Sequence, residues 1–159
     1  MDIVPPATRS RMMPGIRSSN TKPEIAVRKF LHSLGFRYRL GTKVLGTTPD
    51  IVLSKYKVAI FIHGCFWHRH FGCKYATTPK IHGQKWKNKF KDNTQRDSRT
   101  EKALLAAGWH VAVVWECWSK RKLDITWLPA WIKSPIPPYI SWPKTSDTHT
   151  TEDNAPHRL

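Results

Sequence analysis

Apolar spacing marks out the elements of this chain. Thr21-Lys22-Pro23-Glu24 has the form of a capping box, with proline in the first turn where its missing N–H costs nothing. Val27, Phe30, Leu31 and Leu34 then fall at i, i+3, i+4 and i+7, one helical face, and Gly35 suits the residue just past the helix. Alternation over 36–40 predicts a strand. Two more strands are expected over 50–54 and 58–62, joined at Lys55-Tyr56-Lys57 in a hairpin. The unbroken apolar run 58–62 implies a central strand buried on both faces. Residues 64–82 read as loop. A long helix is expected over 84–107, ended by Gly108, then a buried strand over 110–115 and a short helix over 123–133. Helix, strands, long helix and strand together give an α/β layered domain.

Composition sets the boundaries. Residues 1–20 read as an irregular basic N-terminal arm, 21–133 as the folded domain, and the Pro-, Ser- and Thr-rich stretch 134–159 as a mostly disordered tail. No internal repeat is visible. No apolar run approaches the length of a transmembrane helix, and no signal peptide opens the chain. Three cysteines, an odd number, argue against a complete disulfide framework, so a reducing, intracellular location is expected.

Charge narrows the partner. Lysine and arginine number 27 against 11 acidic residues, a formal net charge of +16. With 40% hydrophobic residues this is no disordered polycation. Charge kept for solubility alone would cost self-repulsion, so a polyanion, nucleic acid, is the better partner. Eight tryptophans can build core or stack on bases.

Four residues suggest a metal. Cys65-x4-His70-x2-Cys73 sits in one loop, and Cys117 follows the strand expected over 110–115. Three cysteines and a histidine complete a tetrahedral zinc shell with no open position, so this zinc would be structural. The plainer alternative is buried free cysteines near a surface histidine. His63 or His68 could replace His70, but Cys65-x4-His70 leaves more loop to wrap the ion.

A second group carries candidate chemistry. Asp50, after Pro49 at the mouth of a strand, is a candidate Mg2+ ligand, although taken alone an ordinary turn aspartate is the better explanation. His68 lies between the zinc ligands, and a histidine held near a phosphate can deprotonate water. Glu24 either completes the capping box or faces a site. Trp86, Phe90, Asn93, Asp97 and Leu104 form one helical stripe, so Asn93 and Asp97 interrupt an inward face with polar groups. Such groups need partners, and a buried carboxylate needs a cation or an imidazolium.

Basic residues surround this region, among them Lys74, Lys80, Lys85, Lys87, Lys89 and Lys91, with Arg9, Arg11 and Arg17 in the arm. Any one could be a solvated surface residue; together they fit phosphate contact. Phe66 and Trp67 on the loop, and Met12 and Met13 in the arm, are candidates to wedge between base pairs.

At Ile62–Cys73 (IHGCFWHRHFGC) the chain resembles the very short patch repair (Vsr) mismatch endonucleases. Thr8-Arg9-Ser10, Thr21-x-x-Glu24, Pro49-Asp50, Asn93-x3-Asp97 and Val114-Trp115-Glu116-Cys117 carry the resemblance over residues 8–118. It implies a restriction-endonuclease-like fold, a central mixed sheet flanked by helices, and a nick 5′ to the thymine of a T:G mismatch left by deamination of 5-methylcytosine. It further implies two catalytic Mg2+ ions on Asp50 and the Ile62 carbonyl, with His68 as general base. Glu24, His63, Asn93 and Asp97 would orient the metals' water molecules and His68. Cys65, His70, Cys73 and Cys117 would hold one structural Zn2+. Phe66, Trp67 and Trp86 would wedge from the major groove and Met13 from the minor groove. The expected enzyme is a bacterial, cytoplasmic, nucleoid-associated monomer that works beside a cytosine-5 DNA methyltransferase. This sequence departs from the family at Ile62, where a threonine is common, and at Arg69-His70-Phe71-Gly72, which replaces a run of histidines. The Ile62 change removes a hydroxyl and keeps the carbonyl. Two rival readings are a nicking enzyme of relaxed specificity and a non-catalytic zinc-stabilised DNA-binding protein. The second has no use for Asp50, His68, Asn93 and Asp97 together.

Overall fold

A computed structural model describes residues 20–144. Helix α1 covers Lys22–Ser33, strand β1 Ile51–Leu53, β2 Val58–His63, helix α2 Cys65–His68 and α3 Gly83–Ala106. Strand β3 covers His110–Trp115, α4 Cys117–Lys120, α5 Trp127–Lys133 and β4 Tyr139–Trp142. The sheet order is β1-β2-β3-β4, with β1 antiparallel to β2 and the other two pairings parallel. This is the expected mixed sheet flanked by helices.

The sheet buries both faces, because its central strands are apolar at every position but His63 at the end of β2 and His110 at the start of β3. On one face Ile60, Ala112, Val114, Ile140 and Trp142 pack with Val27 and Leu31 of α1 and Leu128 and Ile132 of α5. On the other, Ala59, Phe61, Val111 and Val113 pack with Leu104 of α3. The α1 capping box forms as expected, with Thr21 Oγ1 accepting from Glu24 N at 3.4 Å and Glu24 Oε2 from Thr21 N at 2.9 Å. Past its end, Gly35 adopts φ +89°, a region that favours glycine. The β1–β2 hairpin turns through a 3-10 segment, Ser54–Tyr56. No described helix is long and apolar enough to cross a membrane.

Four sequence expectations need correction. The strand expected over 36–40 shrinks to one bridge, Arg39 with Val52, because β1 offers three residues and Gly41 (φ +65°) turns the chain away. Within the loop expected over 64–82, residues 65–68 form the single turn α2, too short to show helical periodicity. The helix expected from 123 starts at Trp127, since the Asp124 side chain captures the Thr126 N–H at 2.9 Å and Oγ1 at 2.9 Å. The tail expected from 134 gives way to a strand at 139–142, because β4 pairs with β3 and buries Ile140 and Trp142. Its four-residue alternation lies inside a proline-rich stretch whose composition masked it. Residues 1–19, including Met12, Met13 and the arm arginines, and 145–159 lie outside the described residues.

Trp142 is 1% exposed. Trp142→Ala should therefore cost about 3–5 kcal/mol in urea unfolding. A loss within about 0.5 kcal/mol would return β4 to a solvated tail.

Candidate active site and metal centre

The site begins where the β1–β2 ladder fails. Ile51 pairs with Ile60 and Leu53 with Val58, so the register sets Pro49 opposite Ile62. Proline has no N–H to give the Ile62 carbonyl, and the ladder stops there. Asp50 takes the other half of the missing pair: its Oδ2 accepts the Ile62 N–H at 2.7 Å. Glu24 comes to the same place from α1. It is 2% exposed, caps the helix with one oxygen and meets Arg28 Nη2 at 3.3 Å with the other. Burial and the adjoining Glu24 carboxyl push Asp50 up to about 8, against the Ile62 N–H and the Arg28 charge. Two crowded carboxyls of this kind, beside a carbonyl without a strand partner, are a donor set suited to a divalent cation. Glu24 is thus both the capping residue and a neighbour of Asp50.

On the other face of β2 lies a second group. His68 Nδ1 meets Asp97 Oδ2 at 2.6 Å. Burial raises the Asp97 carboxyl, but the His68 hydrogen bond and nearby imidazoles outweigh it and hold the pKa below the ordinary range. Asp97 is therefore ionised and accepts, so Nδ1 of His68 is the donor. His63 stacks on His68 with centroids 3.9 Å apart and planes within 7°. Burial and the His68 charge push His63 down to about 3, so its ring is neutral. Asn93 does not touch His68. Its amide donates to the Trp67 carbonyl at 3.1 Å and its oxygen accepts from Arg96, so it reaches His68 through the backbone.

Cys65, His70, Cys73 and Cys117 bring their ligand atoms within 4.8 Å of one another. His70 Nδ1 lies 3.6 Å from Cys65 Sγ and 3.5 Å from Cys117 Sγ. All three cysteines are free of disulfides, and Cys65 and Cys117 are buried. The Cys65 thiol beside Cys117 holds Cys117 down to about 4. Thiols converging on one imidazole form a soft, closed donor set that fits a tetrahedral metal ion. His70, rather than His63 or His68, completes it, and its ring stacks on Trp115 at 4.5 Å.

Phe66, Trp67 and Trp86 form a half-buried aromatic cluster against the buried Phe90, with Phe66–Trp67 centroids at 5.0 Å and Trp67–Trp86 at 5.8 Å. Lys89 lies 4.9 Å from the Trp67 ring centroid. Arg69 locks the loop from below, donating to the carbonyls of Phe66, Ala76 and Thr77 and to Thr78 Oγ1, with its guanidinium 4.0 Å from the Phe90 centroid. Sequence reasoning missed three residues that shape the site. Glu116 Oε1 accepts the Cys65 N–H at 3.2 Å, and Trp115 touches both His63 and His70. Glu101 stands one turn from Asp97, a spacing that could have flagged it.

Comparison with known proteins finds DNA mismatch endonucleases and nicking enzymes. The family model described as DNA mismatch endonuclease Vsr matches residues 1–75. Type II nicking enzyme V.XorIIP of Xanthomonas oryzae pv. oryzae is 49% identical over 116 residues, 73% of this chain and 85% of the relative. Type II nicking enzyme V.NmeAIP of Neisseria meningitidis is 48% identical over 121 residues, 76% and 86% of the two chains. DNA mismatch endonuclease Vsr of Escherichia coli K12 is 36% identical over 116 residues, 73% and 74%.

The depressed His63 pKa has a sign that can be checked. The folded value, about 3, lies below the ordinary 6.5, so folding excludes the protonated ring. This group's contribution to stability is complete above pH 6.5 and lost as pH falls toward 3. Its imidazole NMR signals should stay flat between pH 5 and 8; titration near 6.5 would place the ring in solvent.

Proposed function

This chain belongs to the Vsr DNA mismatch endonuclease family, and on that premise we propose that it nicks the thymine strand 5′ of a T:G mismatch in double-stranded DNA. The observation that carries the reading is one strand end. There the consecutive residues Ile62 and His63 adjoin, on one side, the Asp50–Ile62 contact of 2.7 Å and, on the other, the His68–Asp97 dyad at 2.6 Å. Endonuclease chemistry on DNA follows from the family; the mismatch, the strand and the metals are our assignment.

Asp50 and the Ile62 carbonyl would hold two Mg2+ ions, with Glu24 beside them. When bound, these ions stabilise charge on the attacking and leaving oxygens of an in-line displacement. His68 Nε2 takes the proton of the attacking water, while Asp97 fixes Nδ1–H and stabilises the imidazolium that forms. His63, neutral and stacked, keeps the ring from tilting. Asn93 holds the Trp67 carbonyl and so the turn that carries His68. Cys65, His70, Cys73 and Cys117 would hold one structural Zn2+ that ties this turn to the end of β3. Phe66, Trp67 and Trp86 would enter the duplex from the major groove, since unstacking costs least at a mismatch. Met13 would enter from the minor groove. The substrate points to deaminated 5-methylcytosine, and so to work beside a cytosine-5 DNA methyltransferase.

End-labelled T:G and T:A duplexes with Mg2+ or EDTA test this directly. We expect a Mg2+-dependent nick in the thymine strand of T:G alone, lost in Asp50→Ala with binding retained. Nicking indifferent to pairing would give the relaxed enzyme, and tight binding without any nick the non-catalytic module. Metal analysis of the purified protein should find about one zinc per chain. Finding none would remove the zinc assignment.

A further inference from the structure

Strand β4 turns two faces to the protein. Ile140 and Trp142 fill the core, whereas Tyr139 and Ser141 point the other way, into a cleft of about 560 Å3 that is also lined by His63, His68, Asp97 and Glu101. Packing the strand does not need hydroxyls on that side. Both hydroxyls instead have specific partners. Trp115 Nε1 donates to Ser141 Oγ at 2.8 Å. Burial and the neighbouring Glu101 carboxylate hold the Tyr139 hydroxyl above its ordinary range, and Tyr139, Ser141 and Glu101 line the same cleft.

These contacts close a ring around the dyad. From Ser141, the Trp115 indole meets the His63 ring edge-on at 5.3 Å and 72°, and His63 stacks on His68 at 3.9 Å. From Tyr139, the line runs through Glu101 to α3, where Asp97 sits one turn earlier and bonds His68. A stacked imidazole can still slide in its plane, so the stack orients His68 only while His63 is itself held. Two carboxylates four residues apart on one helix repel, and Asp97 raises the Glu101 carboxyl. A donor that draws Glu101 toward β4 leaves Asp97 as the partner of His68.

We propose that Ser141 and Tyr139 are positioning residues of the endonuclease: from β4, Ser141 holds His68 through Trp115 and His63, and Tyr139 holds Asp97 through Glu101. The proposal rests on the assignment of His68 and Asp97 as the proton-accepting dyad. It gives β4, a strand beyond the motifs that mark the family in this sequence, a part in the reaction.

The test compares Ser141→Ala, Ser141→Thr, Tyr139→Phe and the double variant S141A/Y139F. Each single hydroxyl deletion should lower kcat for the T:G nick about five-fold, the worth of one neutral hydrogen bond, with KM unchanged. The double variant should lose about 25-fold, because the two arms reach different members of the dyad. Ser141→Thr, which keeps the hydroxyl, should restore the rate. A second readout needs no turnover: the His68 ring signals in NMR should move in S141A and return in S141T. A rise in KM at constant kcat would make β4 a DNA contact and overturn the proposal. So would equal losses in S141A and S141T, or unmoved His68 signals in both S141A and Y139F. Wild-type protein that nicks no duplex would sink the functional reading, and the ring signals would still decide the role of β4.

Discussion

The parallel pairing of β2 with β3 governs the catalytic end of the molecule. It sets His63 opposite Trp115, and the ladder runs one step further with Glu116 N donating to the His63 carbonyl at 2.9 Å. Because the odd residues of β2 give their backbone to β3, the even ones must give theirs to β1. Ile62 is the even residue at the end, and β1 answers it with Pro49 and the Asp50 carboxylate. One register thus decides which backbone groups are consumed by the sheet and which are left at the site. A slip of one residue would exchange the two sets and turn His63 into the opposite core.

The Cys/His cluster extends this control. Cys65 begins the turn after β2 and Cys117 the turn after β3, so neighbouring strands deliver two buried thiols to one point. Glu116 adds a second tie between the turns, accepting the Cys65 N–H. His68 lies inside this clamped segment, three residues after Cys65 and two before His70. Its orientation is therefore fixed by the sheet below, the cluster behind and α3 alongside.

Much of this was legible in the sequence. The Thr21–Glu24 box, the apolar runs and the stripe containing Asn93 and Asp97 are local patterns with local causes, and they appear in the structure at the expected places. The convergence of Cys65, His70, Cys73 and Cys117 was legible because the residue types permit few other uses. What escaped was long-range or very short. Arg39 alternates with its neighbours like a strand residue, yet the partner it needs is three residues long. Tyr139–Trp142 has a clear alternation, but four residues among prolines carry little weight until the edge of β3 is seen waiting. The double duty of Glu24 was invisible for a similar reason: a capping residue looks the same whether its far side faces water or Asp50.

Arg69 bears on the electrostatics of the whole surface. Its guanidinium is surrounded by four oxygen acceptors and a phenyl ring, so its charge works inside the loop. A cation engaged in that way is not free to neutralise a phosphate and so to release counterions condensed on a duplex. The formal charge of +16 therefore overstates the grip on a polyanion. Replacing counterions on a duplex falls to cations that still face solvent, such as the lysines along α3. Arg69 instead confers shape: it ties the Phe66 carbonyl to the 76–78 segment and so holds the aromatic edge of the loop in place.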